Sequence, residues 1–440
     1  MNSKQNMPHK LPDSLWVASA CAAPETTTLQ GDQFASVVVI GGGFTGLSTA
    51  LHLAEKGVSV TVLEATEIGY GGSGRNVGLV NAGLWLNPSD IDAKVGKKYG
   101  DRLDATLAKA PDLVFSLIDR FNIECEATRH GTLQLSHSRY GDRYLQHRAA
   151  ELTQRGAPVE IYQRDKTIAL TGTQAYRTSL FDPRAGTIQP LGYVRGLAKA
   201  ALSLGAKIHT DTAVSEIQSM PSGEWKVSTS SGSVTAEKVV LATNAYGQGL
   251  NNGLDKTFIP LHFFQFATAP LNRNTLKHIL PEKHGTWDTR QVMSFIRLDQ
   301  AGRLIVGSIG RVEDSGCQFL KDWASDYLCK LFPDFFSQQE IHQHHQFWQH
   351  GWSGKIAFAN DHMPHLHTLA PGMITCIGYS GRGIAPGTIM GKELADHLTG
   401  MPIEEMSLPC RQPKSIFARQ TRRQYYARGS DLYHLYQRAI

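Results

Sequence analysis

The 440-residue chain is 41% hydrophobic and 19% charged, with 42 Gly and 19 Pro, a folded two-domain composition and not a disordered or fibrous one. Its net charge of +5 is largely matched by the tail, where seven Lys/Arg face the single acid Asp431 from Arg411 onward. The near-neutral body argues against a nucleic-acid-binding core. Six cysteines without a C-x-x-C pair, no apolar run near ~18 residues and no apolar leader predict a cytoplasmic protein with no membrane span.

Residues 1–30 carry Pro8, Pro12 and Pro24 and read as an extended surface arm with Trp16 as an anchor. Then Val37-Val38-Val39-Ile40 forms a buried parallel strand. Gly41, Gly43 and Gly46 follow on G-x-G-x-x-G spacing. Leu47, Ala50, Leu51 and Ala54 continue with helical period. Strand, glycine turn and helix are the context a dinucleotide fingerprint requires, with the pyrophosphate on the helix N-terminus around Phe44 and Thr45. A second strand over 58–63 ends at Glu64, 23 residues beyond Gly41, where an acid binds a ribose hydroxyl and repels a 2′-phosphate.

The run 69–80 holds Gly69, Gly71, Gly72, Gly74 and Gly78 around Ser73, Arg75 and Asn76. So many glycines forbid stable helix or strand, and backbone passing close to a large flat anion explains them. A helical pattern over 96–122 is expected to break at Pro111. Further on come a helix over 192–204, a meander from Val214, and an apolar strand ending in Ala242 and Thr243. The aromatic strand 261–269 alternates so that His262, Phe264 and Phe266 share a face. Strands 294–298 and 303–307 pair as a hairpin. Last, strand 373–377 enters the turn holding Gly378, Gly381, Arg382, Gly383 and Ile384, and a helix follows. His342, His344, His345 and His350 complete no metal shell, so no metal is expected.

A nicotinamide enzyme binds its cofactor on one contiguous unit. Here a second strand–turn–helix arrives more than three hundred residues later, and its helix end suits the negative charge of a reduced flavin. FAD is therefore expected. The expected fold is α/β, a discontinuous Rossmann-type FAD domain (31–95, 180–252, 350–405) with a second α+β substrate domain on an antiparallel sheet (96–179, 253–349) and a basic tail (406–440).

The motifs at 39–46, 72–76, 241–246, Trp352-Ser353-Gly354 with Asp361 and Pro364, and 378–383 resemble the FAD-dependent amine and amino-acid oxidoreductases, the family of D-amino-acid, glycine and sarcosine oxidases. Residues 14–20 resemble the γ-glutamylputrescine oxidoreductase branch. The resemblance implies cofactor contacts at Gly41, Gly43, Gly46, Glu64, Ser73, Arg75, Asn76, Gly78, Val214, Gly381 and Gly383. It implies noncovalent FAD, because no cysteine lies in 351–354, and hydride transfer from an amine or amino acid, a γ-glutamylated polyamine among the candidates. The acceptor would be O2 or another carrier. Candidate catalytic residues are His262, Gln265, Arg297, Trp352 and Arg382, with Arg297 read either as an ion pair at the domain surface or as a carboxylate clamp. Two other readings stay open: a nucleic-acid or partner role for the tail, and a flavin protein without turnover.

Overall fold

The computed structural model describes residues 10–247, 250, 253–310, 316–343 and 346–439. Its first sheet runs His365–Ala370, Met373–Ile377, Gly232–Leu241, Gly31–Ile40, Val60–Leu63 and Lys207–His209, parallel except at the first edge. Val37–Ile40 is buried on both faces because helices cover one side and the Val214–Ser219 and Trp225–Thr229 meander packs on the other. The covering helices are Phe44–Glu55, Pro190–Ser203 and Ala385–Leu398.

The second sheet runs Trp348–Phe358, Ile259–Pro270, Arg303–Ile309, Ser294–Leu298, Gly285–Asp288, Thr132–Leu135, Ser179–Asp182 and Glu160–Tyr162. Its pairings are antiparallel except the one between Gly285–Asp288 and Thr132–Leu135. Phe264 and Phe266 point to the side covered by helix Gly316–Leu331, where Trp323 and Leu328 complete a second core.

Four expectations need correction. Helix Lys97–Arg120 runs unbroken through Pro111, with only the Leu107 carbonyl losing its helical donor. Its buried Leu103, Leu107, Val114 and Leu117 join the core of the first sheet, so the expected boundary at 96 falls after this helix. Strand Trp348–Phe358 pairs with Ile259–Pro270 over ten residue pairs and belongs to the second sheet, so residues 350–358 leave the FAD domain. The N-terminal arm is no surface strap: Ser14 caps the short helix Leu15–Ser19, and Trp16 is completely buried.

The basic tail folds as helix Arg419–Ala439 and packs on strand Ile259–Pro270 and helix Gly316–Leu331 of the second unit. Arg419 Nε donates to the Phe258 carbonyl (2.8 Å), and Arg438 Nε donates to Asp326 (2.8 Å). His434 is buried against Trp323 and bonded to the Ile309 carbonyl (2.8 Å). Arg422 also donates to the Asn360 side chain, so three arginines are spent on holding the helix to the body.

Candidate functional site

A cavity of about 760 Å³ lies between the two sheets, a size that accommodates a ligand of cofactor dimensions. Gly41 turns out of the first strand at φ +116°, which glycine alone adopts without strain. A Cβ on Gly46 would stand 2.1 Å from the Gly41 carbonyl oxygen, so that glycine serves helix–strand packing and lies outside the cavity wall. Gly43, Phe44 and Thr45 line the cavity. A Cβ on Gly43 would meet Ser73 Oγ at 2.8 Å, so the cradle is as narrow as glycine allows. N-cap Gly43 has no side chain to cap the helix; Ser73 Oγ accepts the Phe44 N–H (3.1 Å), and the N–H groups after it are left for an anion.

Glu64 faces the other end of this cradle. Its Oε2 accepts from Gly42 N–H (2.7 Å), and its Oε1 accepts from Thr66 N–H (3.1 Å). Burial raises the carboxyl above its ordinary range, opposed by these N–H groups. Val214, Ala242 and Thr243 line the same region, as do Asn76, Gly381, Arg382, Gly383 and Ile384.

Three of the five expected catalytic side chains stand behind the wall, not in it. Gln265 Nε2 (2.5 Å) and Trp352 Nε1 (2.9 Å) both donate to the Arg75 carbonyl. Arg297 donates to the carbonyls of Val77 (3.0 Å), Gly78 (3.2 Å) and Ile188 (2.7 Å). Trp16 Nε1 adds a bond to the Asn76 carbonyl (2.8 Å). Together these donors hold every carbonyl from 75 to 78 away from the cavity. Arg297 is therefore no substrate clamp: it is fully buried, with its guanidinium pushed down to about 10 by desolvation. Gly78, at φ +80°, lets it approach, since a Cβ there would lie 2.4 Å from the guanidinium.

His262 is also displaced. The alternation of the aromatic strand is as expected, but Leu261 and Phe263 face the cavity, which puts His262 with Phe264 and Phe266 on the opposite side. Arg75 does not line the cavity either. Its Nε donates to the Tyr70 carbonyl (2.8 Å), and its guanidinium lies over the Tyr70 ring at 4.8 Å. Gly74, whose Cβ would stand 2.4 Å from the Gly69 carbonyl oxygen, packs the turn behind it.

Arg382 does enter the chamber. It lies between the rings of Trp85 (4.4 Å) and Trp287 (5.1 Å), only 6% exposed. One nitrogen donates to the Ala82 carbonyl (3.0 Å), while Nε has no partner among the described residues. Desolvation pushes the guanidinium down to about 9, still charged at neutral pH. Sequence reasoning missed Trp85, Gln134 and Tyr433 in this wall, because their place in it depends on which distant elements pack around the cavity.

The family model for the FAD-dependent oxidoreductases known as DAO matches residues 36–397. The chain belongs to this family. Gamma-glutamylputrescine oxidoreductase of Escherichia coli K12 is 29% identical over 397 residues, covering 88% of this chain and 89% of that one. A probable oxidoreductase, OrdL, of Haemophilus influenzae is 28% identical over 373 residues, covering 84% of each. Glycine oxidase from Geobacillus kaustophilus superposes with a TM-score of 0.68 at 21% identity, covering 84% of this chain and 96% of that structure.

This family member is thus an enzyme whose cofactor is FAD, and the residues fit that cofactor. The glycine cradle suits the pyrophosphate, Glu64 a ribose, and the orphaned Arg382 Nε in the cavity wall marks where the protein alone leaves hydrogen bonding incomplete. No described helix is long and apolar enough to cross a membrane. Among the described residues no cluster of three or more His, Cys, Asp or Glu could hold a metal, and His344 and His345 lie outside them.

Proposed function

We propose that this flavoprotein oxidises the carbon–nitrogen bond of an amine that also carries a carboxylate, an amino acid or N-substituted amino acid. FAD, when bound, supplies the hydride acceptor. It is held noncovalently, since strand Trp348–Phe358 presents no cysteine over 351–354. The observation that carries the reading is Arg382, a buried guanidinium in the chamber wall with one carbonyl partner and no ion pair among the described residues. A buried charge left this way costs free energy unless an anion completes it, and a planar guanidinium is shaped for a carboxylate.

The chamber's own carboxylate is already spent. Asp288 accepts from the Arg290 and Ser294 N–H groups and pairs with the Arg290 guanidinium. It therefore holds Arg290 and offers no free base. The substrate amine loses its proton instead by burial beside Trp85 and Phe263, which disfavours the ammonium form.

Anaerobic mixing with a panel of amines and amino acids tests this. Amino acids are expected to bleach the visible flavin band, and Arg382→Gln is expected to raise their KM about tenfold or more. Bleaching by no member of the panel overturns the reading. Repeating the reaction with oxygen identifies the electron acceptor. The relative named gamma-glutamylputrescine oxidoreductase makes γ-glutamylated amines the natural long members of the panel.

A further inference from the structure

The C-terminal helix Arg419–Ala439 lies outside the family-matched residues 36–397, yet it forms part of the chamber. Tyr426, Gly429, Ser430 and Tyr433 line the cavity at helical spacing i, i+3, i+4, i+7, so one face of the helix is a wall. Bonds from Arg419 to the Phe258 carbonyl and from Arg438 to Asp326 hold its two ends to the body.

Gly429 is the unexpected member of that face. A glycine inside a helix costs about 1 kcal/mol relative to alanine. Neither packing nor backbone explains it here: a Cβ at Gly429 would meet no atom within 4 Å, and its φ is not positive. The position is exposed at the outer rim, while Ser430 beside it is buried. The missing side chain thus keeps a notch open where the cavity meets solvent. Phe263, Phe358 and the tyrosine rings border it, and deeper in, Asp288 is already neutralised by Arg290. Aromatic faces without an unpaired acid suit an uncharged aliphatic chain.

We propose that this helix is the specificity wall of the chamber and that Gly429 admits a substrate extended by several methylenes. This rests on the reaction proposed above. It is tested with two homologous series of increasing tail length, oxidisable amino acids and non-oxidisable carboxylates, the latter read by their perturbation of the flavin spectrum in the holoenzyme. In the unmodified protein, affinity and kcat/KM are expected to rise with length, up to about fourfold per methylene.

Gly429→Leu, which fills the notch, is expected to lower the long-to-short ratio of kcat/KM about tenfold or more. Gly429→Ala is expected to raise Tm and lower the ratio by less, which shows that the fold does not require the glycine. A flat length series in the unmodified protein, or an unchanged ratio in both variants, overturns the proposal. If no amine bleaches the flavin while the carboxylate series keeps its slope and loses it in Gly429→Leu, the reaction is wrong and the wall stands.

Discussion

Arg297 and Arg382 are both buried arginines near the same cavity, but their surroundings are opposite. Arg297 is completed by the protein: three carbonyls accept its N–H groups, and the Trp16 ring lies 5.5 Å away. Arg382 has one carbonyl, two indole faces and an orphaned Nε. The glycine turns beside them differ likewise. A Cβ at Gly46 would collide with backbone at 2.1 Å, whereas one at Gly383 would meet nothing within 4 Å. At Gly46, behind the first turn, the chain packs against its own backbone. Around the second it leaves donors and space for something else.

Breaking the self-satisfied region should cost most. Gly46→Ala is expected to lower stability by about 3 kcal/mol and to lose FAD, checked by chemical denaturation and cofactor content. The colliding atom is backbone and cannot step aside. Arg297→Met leaves the buried carbonyls of Val77 and Ile188 without their donor, while Gly78 keeps the Ile188 N–H. About 2 kcal/mol of stability should go, together with weaker FAD retention, measured by thermal unfolding and flavin release.

The open region should respond in function and not in stability. Arg382→Gln removes a poorly completed buried charge, so Tm should hold or rise while a carboxylate inhibitor binds about tenfold more weakly. A Tm loss as large as that of Arg297→Met would erase the contrast. The smallest effect is expected for Gly383→Ala: stability unchanged within about 0.5 kcal/mol, but a shifted flavin spectrum or FAD affinity. Unchanged spectrum and affinity would mean the space beside Gly383 is incidental.

Residues Gly41, Gly43, Glu64 and Gly381 were legible because a local rule produces each one: a turn at positive φ, a close backbone approach, an acid at a strand tip. Pairing of side chains across the chain obeys no such local rule. The alternation of His262, Phe264 and Phe266 was readable, but which side of the strand met the cavity depended on helix Gly316–Leu331 covering the other. Gln265, Trp352 and Arg297 were expected as substrate contacts and bond to backbone instead. Their partners are the carbonyls of 75–78, a loop 190 or more residues away in the chain. The cationic tail was ambiguous from composition alone, since the same arginines could face a polyanion or the body's own carbonyls and acids.

By itself, then, the order of residues determined the parallel strands, the two glycine turns and the cofactor they imply, because periodicity and glycine spacing act within one element. Tertiary structure decided which side chains reach the chamber, which hold its wall from behind, and that the last helix closes it. Those outcomes depend on which surface of each element is covered by another, and burial of that kind is settled only when distant segments pack together.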